Sequence, residues 1–71
     1  MLLHEAVAEA LRRNGNQPMH ADDIAAEVNK LGLYRKGDGS PVARKQVVAR
    51  MTKPEYTDLF ERTSPGCYRL R

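Results

Sequence analysis

Between residues 44 and 53 the chain carries Arg44, Lys45, Gln46, Ala49, Arg50 and Lys53. Lysine and arginine neutralise phosphates and release condensed counterions, which gives affinity without sequence information. Glutamine and arginine can also make bidentate hydrogen bonds to purine edges in a major groove. A small side chain such as Ala49 permits close approach to base edges. These are the residue types that double-stranded DNA requires of a partner. They also suit a plain solvated helix face, so the element that carries them must separate the two readings.

Ser40-Pro41 opens that element. Serine is a good N-cap and proline a good first helical residue, so the sequence predicts a helix from Pro41 to Thr52 or Lys53. Pro54 ends it, because a proline disfavours helix in the residue before it. On a wheel with Val47 at zero and about 100° per residue, Val48 and Met51 define an apolar arc near ~45°. Lys45, Ala49, Lys53, Gln46 and Arg50 fall on the outward arc, from ~160° to ~300°. Arg44 lies toward the apolar arc, yet at the first turn its stem can pack while its guanidinium reaches outward. The free N–H groups of that turn add an anion site.

Two earlier helices must hold this one in place. Leu3, Ala6, Val7, Ala10 and Leu11 make one apolar stripe, predicting a helix over about residues 2–13. Glu5 and Glu9 lie in its early turns and Arg12 and Arg13 in its last, as the helix dipole favours. Asn14-Gly15-Asn16 stops it. Gln17-Pro18-Met19-His20 is an extended connector in which Met19 packs inward as a very short strand. Ala21 to Leu31 forms the second helix, with Ile24, Ala25, Val28 and Leu31 on one face and Gly32 as its stop. His20 is a poor N-cap by propensity. The loop Arg35-Lys36-Gly37-Asp38-Gly39 follows, and Arg35, Lys36 and the adjacent Ser40 are candidate phosphate contacts.

The tail predicts a hairpin. Leu59-Phe60-Glu61-Arg62 forms one strand and residues 67–71 the other, with Tyr68 and Leu70 on the inner face. Thr63-Ser64-Pro65-Gly66 joins them, and Pro-Gly at the two central positions matches a type II turn. Thr63, Ser64 and Arg69 are candidate contacts to a DNA backbone or minor groove. Helix, connector, helix, loop, helix, hairpin is the order of a winged helix-turn-helix, a mainly α fold with a small β-hairpin. The expectation is a single domain over residues 1–71. The length equally suits a module excised from a larger protein.

Charge follows the same division. The chain has a net charge of +3 and a pI near 9.4. Residues 1–33 sum to −2 and residues 34–71 to +5. The sequence thus has an acidic back and a basic front suited to a polyanion.

Several functions find no support. No apolar run approaches the length of a membrane span, and the start has no basic region followed by an apolar stretch. A single cysteine, Cys67, forms no internal disulfide, which fits a reducing cytoplasm. Asp22 and Asp23 are adjacent and point apart, so they make no paired carboxylate site. Glu55, Asp58 and Glu61 lack nuclease metal spacing. Gly37-Asp38-Gly39 follows no strand and is not a phosphate cradle. No enzyme and no cofactor is expected. Tyr34, Tyr56, Phe60 and Tyr68 read as core rather than as stacking platforms.

The chain resembles the HARE-type helix-turn-helix family. The carriers are Leu11…Gly15…Pro18-Met19, Ile24-Ala25…Val28, Gly32-Leu33-Tyr34, Ser40-Pro41, Gln46-Val47-Val48-Ala49-Arg50-Met51, Leu59-Phe60-Glu61-Arg62 and Gly66-Cys67-Tyr68-Arg69-Leu70. The resemblance implies a winged-helix DNA-binding module, with Arg44, Lys45 and Gln46 at the start of its recognition helix and Arg50 one turn on. It looks most like versions attached to bacterial restriction or modification enzymes. It therefore implies a nuclease or methyltransferase neighbour, a bacterial cytoplasmic setting with nucleoid association when DNA is bound, and the sensing of modified bases such as modified cytosine. The alternative is a protein-interaction module that docks on a polymerase, nuclease or methyltransferase, since winged helices are reused in that way.

Overall fold

Leu3, Ala6, Val7, Ala10 and Leu11 turn their side chains into the core from helix α1 (Leu3–Arg13). The computed structural model describes residues 1–71, so every element can be compared with its sequence. At the start of α1 the Glu5 carboxylate accepts the Leu2 N–H at 2.9 Å. At its end Glu9 holds both Arg12 (3.2 Å) and Arg13 (2.9 Å), which lowers the Glu9 pKa, mainly through Arg13. Asn16 then adopts φ +55°, a left-handed conformation that asparagine tolerates better than most residues.

Strand β1 (Met19–His20) leads directly into helix α2 (Ala21–Leu31). Here propensity misleads. His20 caps α2 effectively, because its Nδ1 accepts the Asp22 N–H at 3.2 Å. Ile24, Ala25 and Val28 pack inward, and Gly32 closes the helix at φ +64°.

Helix α3 corrects the expected boundaries of 41–53. It runs Arg44–Met51, and its cap is Ala43 rather than Ser40. Two local structures outcompete the Ser-Pro start. Ser40 donates its N–H and its hydroxyl to the Asp38 carboxylate, at 2.9 and 2.7 Å. Those bonds keep the Asp38 carboxyl below its ordinary range. Val42 is held like a strand residue by Asn29, which accepts the Val42 N–H and donates to the Val42 carbonyl, both at 2.9 Å. The chain becomes helical only after Val42, where the Gln46 side-chain oxygen accepts the Ala43 N–H at 2.9 Å. At the other end the Thr52 hydroxyl donates back to the Val48 carbonyl at 2.8 Å. A short 3-10 helix (Pro54–Tyr56) follows.

The tail forms strands β2 (Phe60–Ser64) and β3 (Cys67–Leu70). Thr63 and Ser64 thus belong to β2, with an irregularity between Arg62 and Ser64, instead of lying in the turn. With β1 they make one antiparallel sheet in the order β1-β3-β2. Met19 pairs with Tyr68 and His20 with Cys67 on one side of β3. Phe60–Leu70, Glu61–Arg69 and Arg62–Tyr68 pair on the other. The Asn16 side chain bonds both backbone groups of Leu70, at 3.0 and 2.8 Å, and ties the end of α1 to β3. Leu11, Ile24, Val7, Val28 and Val47 fill the centre, with Phe60 and Tyr68 buried and Tyr34 and Tyr56 half-buried against them. This is a winged helix-turn-helix: three helices and a small sheet whose hairpin is the wing.

The wing is seated on the start of α2. The Ala21 N–H donates to the Gly66 carbonyl at 2.9 Å. Gly66 has φ +80°, and a Cβ there would lie 2.9 Å from His20 Nε2. Gly66→Ala should therefore cost about 1–2 kcal/mol from the backbone conformation alone. A calorimetric melt should fall by roughly 5–15 °C, and the Ala21 amide should exchange faster. An unchanged melt would mean that the wing is not held in this way.

Candidate nucleic-acid interface

The twelve lysines and arginines sort into two groups. Arg12 and Arg13 pair with Glu9, and Lys30 with Glu27 at 3.8 Å, so every cation of the first two helices has a carboxylate partner. In the later part Arg44 meets Asp22 at 3.6 Å, and Glu61 takes Arg69 at 3.0 Å and Arg71 at 3.8 Å. Arg35, Lys36, Lys45, Arg50, Lys53 and Arg62 have no carboxylate within 4.0 Å. The unpartnered positive charge lies wholly on α3 and its end, on the loop before it and on the wing.

Helix α3 presents that charge between two grooves. On one side Gln46, Ala49, Arg50 and Lys53 line a groove of about 200 Å³ whose far wall includes Leu3, Tyr34 and Val42. On the other side Arg44, Lys45 and Val48 face Gly66 and Tyr68 of the wing across a groove of about 400 Å³. Lys45 and Ala49 are exposed, while Gln46 and Arg50 are partly covered. Neither groove contains a carboxylate in its lining. The largest cleft, about 460 Å³, opens elsewhere between α1 and α2 and is lined by Asp23 and Glu27 with one arginine, Arg13. Positive potential therefore collects along both flanks of α3.

The sequence-derived candidates fare differently in this geometry. Arg44, Lys45, Ala49, Arg50 and Lys53 share the α3 face. Gln46 shares it too, but its oxygen is engaged at Ala43, so a bidentate adenine contact would require releasing the start of the helix. Arg35 and Ser40 line a separate small groove beside Gly39, with exposed Asp38 nearby. Lys36 stands in the same loop without a partner. Thr63 and Ser64 are exposed toward the wing tip, with the Thr63 hydroxyl near the Cys67 carbonyl at 3.5 Å. Arg69 is on the wing face where Glu61 holds it.

One residue was missed. Arg62 lies directly opposite the buried Tyr68, two positions after the buried Phe60, so it projects from the inner face of the hairpin. Strand alternation counted from Phe60 carries that information. The sequence reading assigned faces only to the second strand, so the face of Arg62 was not considered.

A family model for the HARE-HTH domain, described as a helix-turn-helix domain of ASXL proteins and restriction endonucleases among others, matches residues 1–71. Comparison with curated proteins and with solved structures gives no match.

Proposed function

The chain belongs to the HARE-HTH family of helix-turn-helix DNA-binding domains, and from that premise we propose that it is a single double-stranded DNA-binding domain whose α3 enters the major groove. Lys45, Ala49 and Arg50 meet base edges and the nearest phosphates. Arg44 and Lys53 clamp the phosphates flanking the helix. Arg35, Lys36 and Ser40 reach the backbone from the loop, and Thr63, Ser64 and Arg69 do so from the wing. Gln46 acts first as the cap of the helix and reads a base only if that cap opens. The finer reading adds discrimination of modified cytosine and the targeting of a nuclease or methyltransferase in a bacterial cytoplasm.

The observation that carries this proposal is the distribution of unpaired cations. All six lie on α3 and its end, its leading loop and the wing, while the cations of α1 and α2 each have a carboxylate partner, Glu9 serving both Arg12 and Arg13. Cations free of carboxylates neutralise phosphates without first breaking an ion pair, and this surface supplies six of them together. A second reading is favoured by Met1, Leu2 and Leu59, large apolar residues exposed at 64%, 60% and 44%. It is a protein-docking module that uses these exposed apolar side chains.

Titration with plain and cytosine-methylated duplexes, followed by amide shifts, tests the proposal. The largest shifts should fall on residues 44–53 and the wing, and affinity should drop steeply with salt. Absence of shifts there, or a salt-independent affinity, would favour the docking module. Equal affinity for both duplexes would remove methylation sensing alone.

A further inference from the structure

We propose that the trough between α3 and the wing holds one sugar–phosphate strand of the duplex, with Arg62 as a further phosphate contact from the wing, on its inner face. The inference rests on the DNA-binding reading and adds a second wall to the site. The trough is built from two adjoining grooves that share Tyr68. The groove toward the start of α3 carries Arg44, Lys45 and Val48. The groove toward its end, about 270 Å³, carries Thr52, Phe60 and Arg62. Neither lining contains a carboxylate. The floor is apolar at Val48 and Tyr68 and the walls are cationic on both sides. Deoxyribose offers apolar edges and its phosphates offer charge, so one backbone strand complements this cross-section.

Sheet register makes Arg62 the arginine that can act here. The pairs Phe60–Leu70 and Arg62–Tyr68 share the inner face of the hairpin, and Glu61–Arg69 shares the outer one. On the outer face Glu61 already neutralises Arg69. Arg71 also lines the groove at the end of α3, but its Nε donates to the Thr57 carbonyl at 2.6 Å and its guanidinium approaches Glu61. Arg62 is exposed and has no acidic partner, so its charge is available without breaking an ion pair. Arg44 is partnered, but its contact with Asp22 is long and both groups are exposed, at 60% and 65%. Such pairs contribute little, and a phosphate entering the trough displaces Asp22. Phosphate contacts fix the register of a protein on the duplex. Gripping one strand from both sides therefore sets how far α3 slides along the groove.

The test compares the salt dependence of duplex affinity for Arg62→Ala, Arg62→Lys, Lys45→Ala and Arg12→Ala. Each removes one charge except Arg62→Lys, which keeps it. Arg12 lies on α1 and is held by Glu9, so it controls for net charge. Arg62→Ala should flatten the log–log salt slope by about 0.9 and weaken binding about eightfold at 0.1 M salt, taking 1 M as the limit where counterion release vanishes. Arg62→Lys should restore the slope, which a purely structural role for the guanidinium would not allow. Arg12→Ala should stay within about twofold of the parent. If Arg62→Ala keeps the parental slope while Lys45→Ala flattens it, the trough is overturned and the DNA-binding reading stands. Equal flattening by Arg62→Ala and Arg12→Ala overturns the trough as well, since net charge alone would explain both. If neither Lys45→Ala nor Arg62→Ala changes the slope, both readings fall.

Discussion

Replacing Lys45, Arg50 and Lys53 together by alanine should remove nearly all duplex binding while leaving the fold intact. Each of these side chains lies on α3 or just past its end without a carboxylate partner, so its whole charge is available to phosphate. At about 0.9 counterions released per contact, three lost contacts should flatten the salt slope by nearly three units and cost on the order of 500-fold in affinity at 0.1 M salt. Gln46 is left in place because its oxygen caps the helix, and truncating it would confuse binding with helix stability. Circular dichroism and thermal melting of the triple variant should match the parent. Retention of duplex affinity within tenfold would remove α3 as the recognition element.

Among the polar side chains, the largest single-site effect on stability should come from Asn29→Ala. The Asn29 amide satisfies both backbone groups of Val42, which is only 4% exposed. A methyl group there leaves a part-buried N–H and a part-buried carbonyl without these partners, at about 1–3 kcal/mol each, discounted where water reaches them. A total loss of about 2–4 kcal/mol should lower the melting temperature by roughly 10–20 °C. Asn29→Asp keeps acceptance from the Val42 N–H and loses donation to its carbonyl, so it should fall between parent and alanine variant. An alanine variant that melts with the parent would show that Val42 is held by packing alone. Because Val42 fixes where α3 begins, DNA affinity should fall in step with stability at temperatures near the melt.

Much of this architecture was legible in local pattern. The stripe from Leu3 to Leu11 specified α1 because period and burial agree. Gly32 stopped α2 and Pro-Gly turned the wing, since each answers a backbone demand in its immediate neighbourhood. Helix α3 was harder. Ser40-Pro41 is a strong local start, but the position of the helix is decided by Asn29, thirteen residues upstream of Val42 in the chain. His20 was undervalued for the same kind of reason. Its ring nitrogen does the work of a cap oxygen, and the glycine of a distant turn makes room for the ring. The α3 cations could be found on a wheel, whereas their pairing could not. Which arginines are spent on Glu9 or Glu61 depends on helix spacing in one case and on strand register in the other. Arg62 escaped notice because its value comes from the face it occupies.

The middle strand of the sheet has a consequence for how the domain is made. Strand β3 is the partner of both β1 and β2, and it is drawn from residues 67–70. A nascent chain leaving the ribosome therefore exposes three amphipathic helices before any strand can pair. Met19 and His20 wait for partners translated almost fifty residues later. Until then Ala21 lacks the carbonyl of Gly66, and Asn16 lacks Leu70. The basic helix is synthesised early, but the seat that orients it closes last. Competence to grip a duplex should thus arise in one late cooperative step, and ribosome-stalled fragments ending before Cys67 should remain sensitive to protease.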